Sequence, residues 1–130
     1  LYPTIMDLLS MNPPDFLSGK SLKPYLEGSR DQIRKNALTE LRVWTPTGIA
    51  QGYSLKTKDY RFTKWLHNDN LDFELYDLNY DLSELNNLAN DNLYKKVKDS
   101  LLITINNRII EANIYPESLG RQIENATPLN

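Results

Sequence analysis

The chain of 130 residues has no cysteine, which excludes disulfides, thiolate zinc sites and a cysteine nucleophile within it. The redox compartment is therefore left open. Histidine occurs once, and one histidine does not make a metal site. Long hydrophobic runs are missing as well. The longest purely apolar stretch, Leu101-Leu102-Ile103, is far shorter than the roughly 20 residues that span a bilayer. Neither sign of charge dominates: 15 basic residues stand against 17 acidic ones, for a net charge of −2 and a pI near 5.4. Such a chain carries no broad basic field, which argues against nucleic acid or an anionic membrane as principal partner. No signal-peptide pattern opens the sequence. Pro3 suits a first helical turn, yet no Ser, Thr, Asp or Asn stands ahead of it to cap that turn. The expectation is a chain that begins inside a larger protein.

What is present is ordinary for a folded domain. Apolar residues make up 40% and charged residues 25%, and the length fits a single core. Leu1, Ile5, Leu8 and Leu9 fall on one helical face, so Pro3 to about Ser10 reads as a short amphipathic helix. Asn12-Pro13-Pro14-Asp15 breaks it. Ser21 can cap a single turn over Leu22 to Leu26, and Glu27 to Asp31 is a polar surface turn.

A β-rich middle follows. Ala37 to Trp44 alternates as a strand does, and Thr45-Pro46-Thr47-Gly48 stops it. Gly52 to Lys56 and Tyr60 to Trp65 read as a hairpin joined by Thr57-Lys58-Asp59. Asn68-Asp69-Asn70 turns the chain again. Asp72 to Leu78 is a further strand, with Phe73, Leu75 and Asp77 on one side. Asp81 and Glu84 have capping-box spacing, which predicts a brief helix through Leu88. Asn92 to about Ala112 is the longest helix, because Leu93, Val97, Leu101, Ile105 and Ile109 recur every four residues. Such a stripe needs a sheet beneath it. The fold class expected is α+β: a small antiparallel sheet of three to four strands packed against a long C-terminal helix. The expected division is a helical segment over residues 1–35, an α+β subdomain over 36–114 and an extended tail over 115–130.

Three segments together resemble the C-terminal region of sulfatases, with the iduronate-2-sulfatase type the nearest. The first is Leu1-Tyr2-Pro3-Thr4 with Gly19-Lys20-Ser21-Leu22. The second is the hairpin phrase from Gly52-Tyr53-Ser54-Leu55-Lys56-Thr57 through Tyr60-Arg61-Phe62-Thr63. The third is Glu74-Leu75-Tyr76-Asp77-Leu78, followed by Asp81, Glu84, Asn87, Leu88 and Ala89. One departure is Leu82, where the family usually has proline. The resemblance implies the C-terminal subdomain of an alkaline-phosphatase-like enzyme that hydrolyses sulfate esters, here 2-O-sulfate on a uronic acid of heparan or dermatan sulfate. It also implies a partner, the N-terminal catalytic domain. There, a formylglycine made from Cys or Ser in a Cys/Ser-x-Pro/Ala-x-Arg motif would act with Ca2+. That motif does not occur in these 130 residues, and no catalytic or metal residue is assigned to them. Members of the family usually work in the periplasm, outside the cell or in lysosomes.

Candidate substrate-binding residues are Arg42, Trp44 and His67. Arg42, with Lys56, Arg61 and Lys64 on adjacent strands, could attract a carboxylate or a second sulfate, and arginine's planar fork suits an oxyanion best. The alternative is a solvated charged face. Trp44 and Trp65 could stack on a pyranose ring, or pack under the helix. His67 stands at a strand end, near a turn, as either a substrate contact or a surface histidine. Asn68-Asp69-Asn70-Leu71-Asp72 lacks the glycine and closing glutamate of a calcium loop and reads as a polar turn. Asn125-Ala126-Thr127 is a glycosylation triplet, and Leu119-Gly120-Arg121 could lie across a pocket mouth. Competing functions are a phosphonate or phosphate-ester hydrolase of the same superfamily, a stand-alone carbohydrate-binding module, and an interface domain without a ligand.

Overall fold

The computed structural model describes residues 1–15, 17, 19–29 and 33–113. The triplet at Asn125, the Leu119-Gly120-Arg121 segment and the expected tail lie outside these residues. Two compact units form, one starting with Leu1–Ile33 and the other comprising Arg34–Ile110.

In the first unit, helix α1 spans Tyr2–Leu8 and a single turn, α2, spans Lys23–Leu26. The expected apolar stripe of α1 stays exposed at Leu1, Ile5, Leu8 and Leu9, while Pro3 and Thr4 are buried. A polar contact explains the difference. The Leu22 amide donates to the buried Thr4 hydroxyl at 3.0 Å, and the Lys23 ammonium reaches the Asp7 carboxylate at 3.5 Å. Ser21 does accept the Lys23 amide at 3.1 Å, but the residue at the cap position of α2 is Leu22.

The second unit is built on a four-stranded antiparallel meander in the order β1-β2-β3-β4. The strands are β1 (Ala37–Thr45), β2 (Gly48–Lys56), β3 (Tyr60–His67) and β4 (Asn70–Asp77). All four are longer than the alternation predicts, β2 most of all. Thr45 pairs with Gly48, so Pro46-Thr47 is a two-residue turn and β2 begins four residues before Gly52. The Thr45 hydroxyl secures this turn by donating to the Gly48 carbonyl at 2.8 Å, and Gly48 takes φ +135°, where a side chain would be strained. At the β3–β4 turn Asn68 and Asp69 both take positive φ (47° and 63°), the conformation that matches strand twist and that Asn and Asp tolerate best. Thr57 closes the β2–β3 turn by accepting the Tyr60 amide at 2.9 Å.

Register decides which side chains become core. Leu38, Leu55, Phe62 and Leu75 stand opposite one another across the four strands. The last three are fully buried, as is Ile105 of helix α3 (Lys95–Ala112). Each such side chain contributes about 1.5–3 kcal/mol by leaving water. Leu101, Val97, Leu102 and Ile109 complete the helix face, and the Phe62 and Phe73 rings stack at 5.8 Å. Leu93 is the exception to the four-residue stripe. It is 87% exposed because a 3-10 turn over Asn92–Tyr94, capped by Asp91, precedes α3 and turns Leu93 outward.

No helix forms between Asp81 and Leu88. Asp81 accepts the amides of Leu85 and Asn86 at 2.8 Å each, and Glu84 takes a left-handed φ of 56°. Glu84 meanwhile spends its carboxylate on Arg61 Nε at 2.6 Å instead of completing a capping box. The loop that results serves the sheet edge. The Asn87 side chain accepts the Leu75 amide at 3.0 Å and donates to the Phe73 carbonyl at 3.2 Å, while the Leu88 amide donates to the Leu75 carbonyl at 2.8 Å. Asp77 ties the far end of β4 to the turn before α3. It accepts the Asn79 amide at 3.0 Å and the Tyr94 hydroxyl at 3.4 Å.

Removing the Asn87 side chain leaves a strand amide and a strand carbonyl unpaired. Asn87→Ala is expected to lower stability by about 1–3 kcal/mol. The exposed Asn90→Ala should stay within about 0.5 kcal/mol, both read by urea unfolding. The Asn86 and Leu85 amides hold the Asp81 carboxyl below its ordinary value. A lowered carboxyl in the folded state stabilises above its unfolded value, and that contribution fades as pH falls through the folded value. Asp81→Asn, which keeps an acceptor oxygen, should therefore show a shallower loss of Tm below about pH 4 than the parent chain, followed by circular dichroism.

Candidate functional site

Strand alternation gives the sheet two faces that do different work. Helix α3 covers one end of the face that carries Leu55, Phe62 and Leu75. The other end of that face, towards the Pro46-Thr47 and Asn68-Asp69 turns, bears Arg42, Trp44, Ile49, Gln51, Leu66 and Leu71 by register. A solvent-open cleft of about 400 Å3 lies there, lined by Arg42, Ile49, Gln51, Leu66, Asn68 and Asp69. Two apolar side chains, Ile49 and Leu66, and four polar ones line it.

Arg42 stands opposite Gln51, and Trp44 opposite Ile49. Glu40 Oε1 accepts from Arg42 Nη2 at 3.4 Å and from Gln51 Nε2 at 2.9 Å, and Gln51 also donates to the Tyr53 hydroxyl at 2.7 Å. The Arg42–Glu40 contact is exposed and single-pronged, so the second edge of the guanidinium stays available to an oxyanion. Trp44 is 83% exposed, with its indole presented to solvent rather than packed under the helix.

The remaining basic residues are distributed elsewhere. Lys64 shares the face of Arg42, but its ammonium donates to Asn106 Oδ1 of α3 at 3.1 Å. Arg61 and Lys56 lie on the opposite face, where Arg61 is paired with Glu84. Trp65 is on that opposite face too. Its ring lies over Gly52 so closely that a Cβ there would come within 2.5 Å of the indole. His67 shares this second face by alternation, so the sheet separates it from Arg42 and Trp44. Its Nε2 lies 3.0 Å from the Thr45 hydroxyl and 3.1 Å from the Thr47 hydroxyl. The Thr45 hydroxyl also donates to the Gly48 carbonyl at 2.8 Å, so the ring, both threonines and the turn form one hydrogen-bonded group. His67 thus clips the β1–β2 turn to the end of β3.

Ile49 and Gln51 of the cleft are missed by an alternation that starts β2 at Gly52, and Leu66 by one that ends β3 at Trp65. The signal that finds the first two is the continuous run Ile49, Gln51, Tyr53, Leu55 on one face, readable once Pro46-Thr47 is taken as a tight turn; Leu66 continues the face of Phe62 and Lys64 on β3. Among the described residues no three of His, Asp and Glu gather in one place, and Asn68-Asp69 is the hairpin turn described above. No described residue is therefore assigned to calcium, and no chemical step is derived through it. Three tyrosines beside acidic groups are held neutral: burial, then the Asp77 charge, pushes the Tyr60 and Tyr94 phenols up, and burial, then Glu74, does the same to Tyr76.

The family described as N-sulphoglucosamine sulphohydrolase, C-terminal, matches residues 1–111. The chain belongs to that family. A curated relative, the N-acetylglucosamine-6-O-sulfatase of Bacteroides thetaiotaomicron, is 28% identical over 104 residues, covering 77% of this chain and 18% of the relative. A solved 2-O GAG sulfatase superposes with a TM-score of 0.74 at 26% identity, over 86% of this chain and 24% of that one. A sulfatase solved with its substrate D-glucosamine-2-N,6-O-disulfate gives 0.71 at 26%, over 90% of this chain and 25% of that one. The phosphonate monoester hydrolase of Agrobacterium radiobacter, at 24% identity and 0.62, shares the fold. This sulfatase C-terminal subdomain therefore spans about a quarter or less of its relatives' length.

Within the subdomain, Gly52 exists to seat an indole. Gly52→Ala is expected to displace Trp65, shift tryptophan emission to the red and cost about 1–3 kcal/mol in urea unfolding. Ala50→Ser on the same strand and face serves as the control and should leave emission unchanged.

Proposed function

We propose that this chain is the C-terminal portion of a sulfatase that removes 2-O-sulfate from uronic acid in a glycosaminoglycan, and that its open cleft walls part of the substrate pocket. The observation that carries this reading is the pairing of an exposed Trp44 with a singly engaged Arg42 at the free end of the sheet. An indole face complements the C–H surface of a pyranose, and a guanidinium fork takes a carboxylate or sulfate with two hydrogen bonds. His67 contributes by holding the turn beside Trp44. The likeness of the hairpin phrase Gly52 to Trp65 to iduronate-2-sulfatase and the fold match to a 2-O GAG sulfatase support the substrate.

The partner we infer is an N-terminal catalytic domain supplying the formylglycine and Ca2+ chemistry. The exposed stripe of Leu1, Ile5, Leu8 and Leu9 on α1 supports it, because contiguous apolar side chains favour a covered surface. The location inferred is periplasmic, secreted or lysosomal, in keeping with an extracellular polysaccharide as substrate. No described helix is long and apolar enough to cross a membrane.

A second reading, sulfated glucosamine as substrate, is favoured by the family match and by the curated relative. The two are separated by measuring sulfate release in the protein that joins this chain to its catalytic half. Disaccharides carrying 2-O-sulfouronate, 6-O-sulfoglucosamine or N-sulfoglucosamine are compared with a phosphonate monoester. The 2-O-sulfouronate substrate should be preferred by about tenfold or more in kcat/KM, equivalent to about 1.4 kcal/mol. Preference for glucosamine substrates would transfer the assignment to the second reading, and preference for the phosphonate would overturn both. Arg42→Ala should raise KM for the preferred substrate by about tenfold with kcat changed less than about twofold.

A further inference from the structure

The two edges of the sheet are treated differently. On β4 the Asn87 side chain and the Leu88 amide occupy strand amide and carbonyl groups. Among the described residues no hydrogen bond reaches β1 from its outer side. That strand is nine residues long and has no interior Pro, Gly or Lys; its two charges, Glu40 and Arg42, are of opposite sign, so they guard the edge against most strands but not against one that presents the same pair reversed. Leu41, Val43 and Trp44 are exposed along it.

We propose that β1 is an interaction edge for a second copy of this chain, pairing antiparallel about Leu41 and joining two four-stranded sheets into one. The charge order along the strand selects this register. A two-fold axis at Leu41 places Glu40 of each copy opposite Arg42 of the other, on the same face. The same axis sets Thr39 against Val43 and Leu38 against Trp44. Moving the axis to Glu40 stacks two carboxylates, and moving it to Arg42 stacks two guanidiniums; like charges directly opposite destabilise a pair. An axis midway between residues would set the two sheet faces out of phase. In the single copy the Glu40–Arg42 contact is long and exposed at 3.4 Å, and although Glu40 Oε1 also accepts from Gln51 Nε2 at 2.9 Å, its second oxygen can take the Arg42 of another copy. This edge runs beside the Arg42–Trp44 end of the cleft, and the proposal is independent of which sulfate ester is cleaved.

Cysteine-free sequence makes the test direct. In the proposed register two Leu41 residues face each other about 4.5–5.5 Å apart between Cα atoms, within disulfide reach. Two Thr39 residues are separated by about 13 Å. Leu41→Cys should form a covalent dimer under mild oxidation and Thr39→Cys should not. By sedimentation velocity the parent chain should shift from monomer to dimer with concentration. Arg42→Glu should weaken that association about tenfold or more, and Glu40→Arg combined with Arg42→Glu should restore it, because the reversed charges are again complementary. Circular dichroism checks that each variant is folded, and the cysteine pair decides the matter if a charge variant is not. The proposal is overturned if the parent chain stays monomeric at all concentrations, if both cysteine variants crosslink alike, or if the double reversal fails to restore association. It is also overturned if hydrogen exchange finds the outer amides of β1 protected in the monomer, which would assign the edge to a strand of the same protein.

Discussion

A row of apolar side chains running across the strands, Leu38-Leu55-Phe62-Leu75, holds this subdomain together against Leu101 and Ile105 of the long helix. The helix cannot bury its stripe without the sheet, and the sheet has no other described element over that face. Because side chains alternate, a slip of one residue in any strand would send its apolar set to the opposite face and replace Phe62 by Arg61 or Thr63. The same register therefore sets where every polar residue of the sheet appears. Arg61 meets Glu84, Lys64 meets Asn106, and Arg42 falls beyond the reach of the helix.

Short polar side chains organise the connections. Thr45, Thr57, Asp77, Asp81, Asn87 and Asp91 each accept a hydrogen bond from a nearby backbone amide or, for Asn87, act as a strand's neighbour. Groups that would otherwise lose water without a partner are satisfied this way, which is how non-repetitive segments can lie against a core. The region after β4 shows the consequence. Its carboxylates are drawn into ties with Arg61 and with loop amides, and the chain adopts a bracket along the sheet edge instead of a helix.

The sheet is longer than the helix that covers it, and this mismatch creates the candidate site. The covered end is packed, while the uncovered end offers an aromatic face, a guanidinium and an amide beside the exposed Ile49 and Leu66. A small domain gains no stability from an exposed tryptophan. Trp44, near the end of a strand exposed from Thr39 onward except at Thr45, is understandable as part of a surface used by something else.

The amino-acid sequence alone determined the α+β class, the Tyr53–Phe62 hairpin, the long helix after Asn92 and the family resemblance, because each rests on local periodicity or on short ordered phrases. The faces of β2, β3 and β4 near the core were legible for the same reason. Only the tertiary structure decided that Asp81 to Leu88 is an irregular bracket, since Glu84 finds Arg61, 23 residues away in sequence, a better partner than its own helix start. It alone turned Leu93 outward, extended β2 back to Gly48, and divided Arg42 and Trp44 from His67 by the thickness of a sheet. Those outcomes depend on which strand neighbours which and in what register, and a pairing between distant residues leaves no periodic trace in either one.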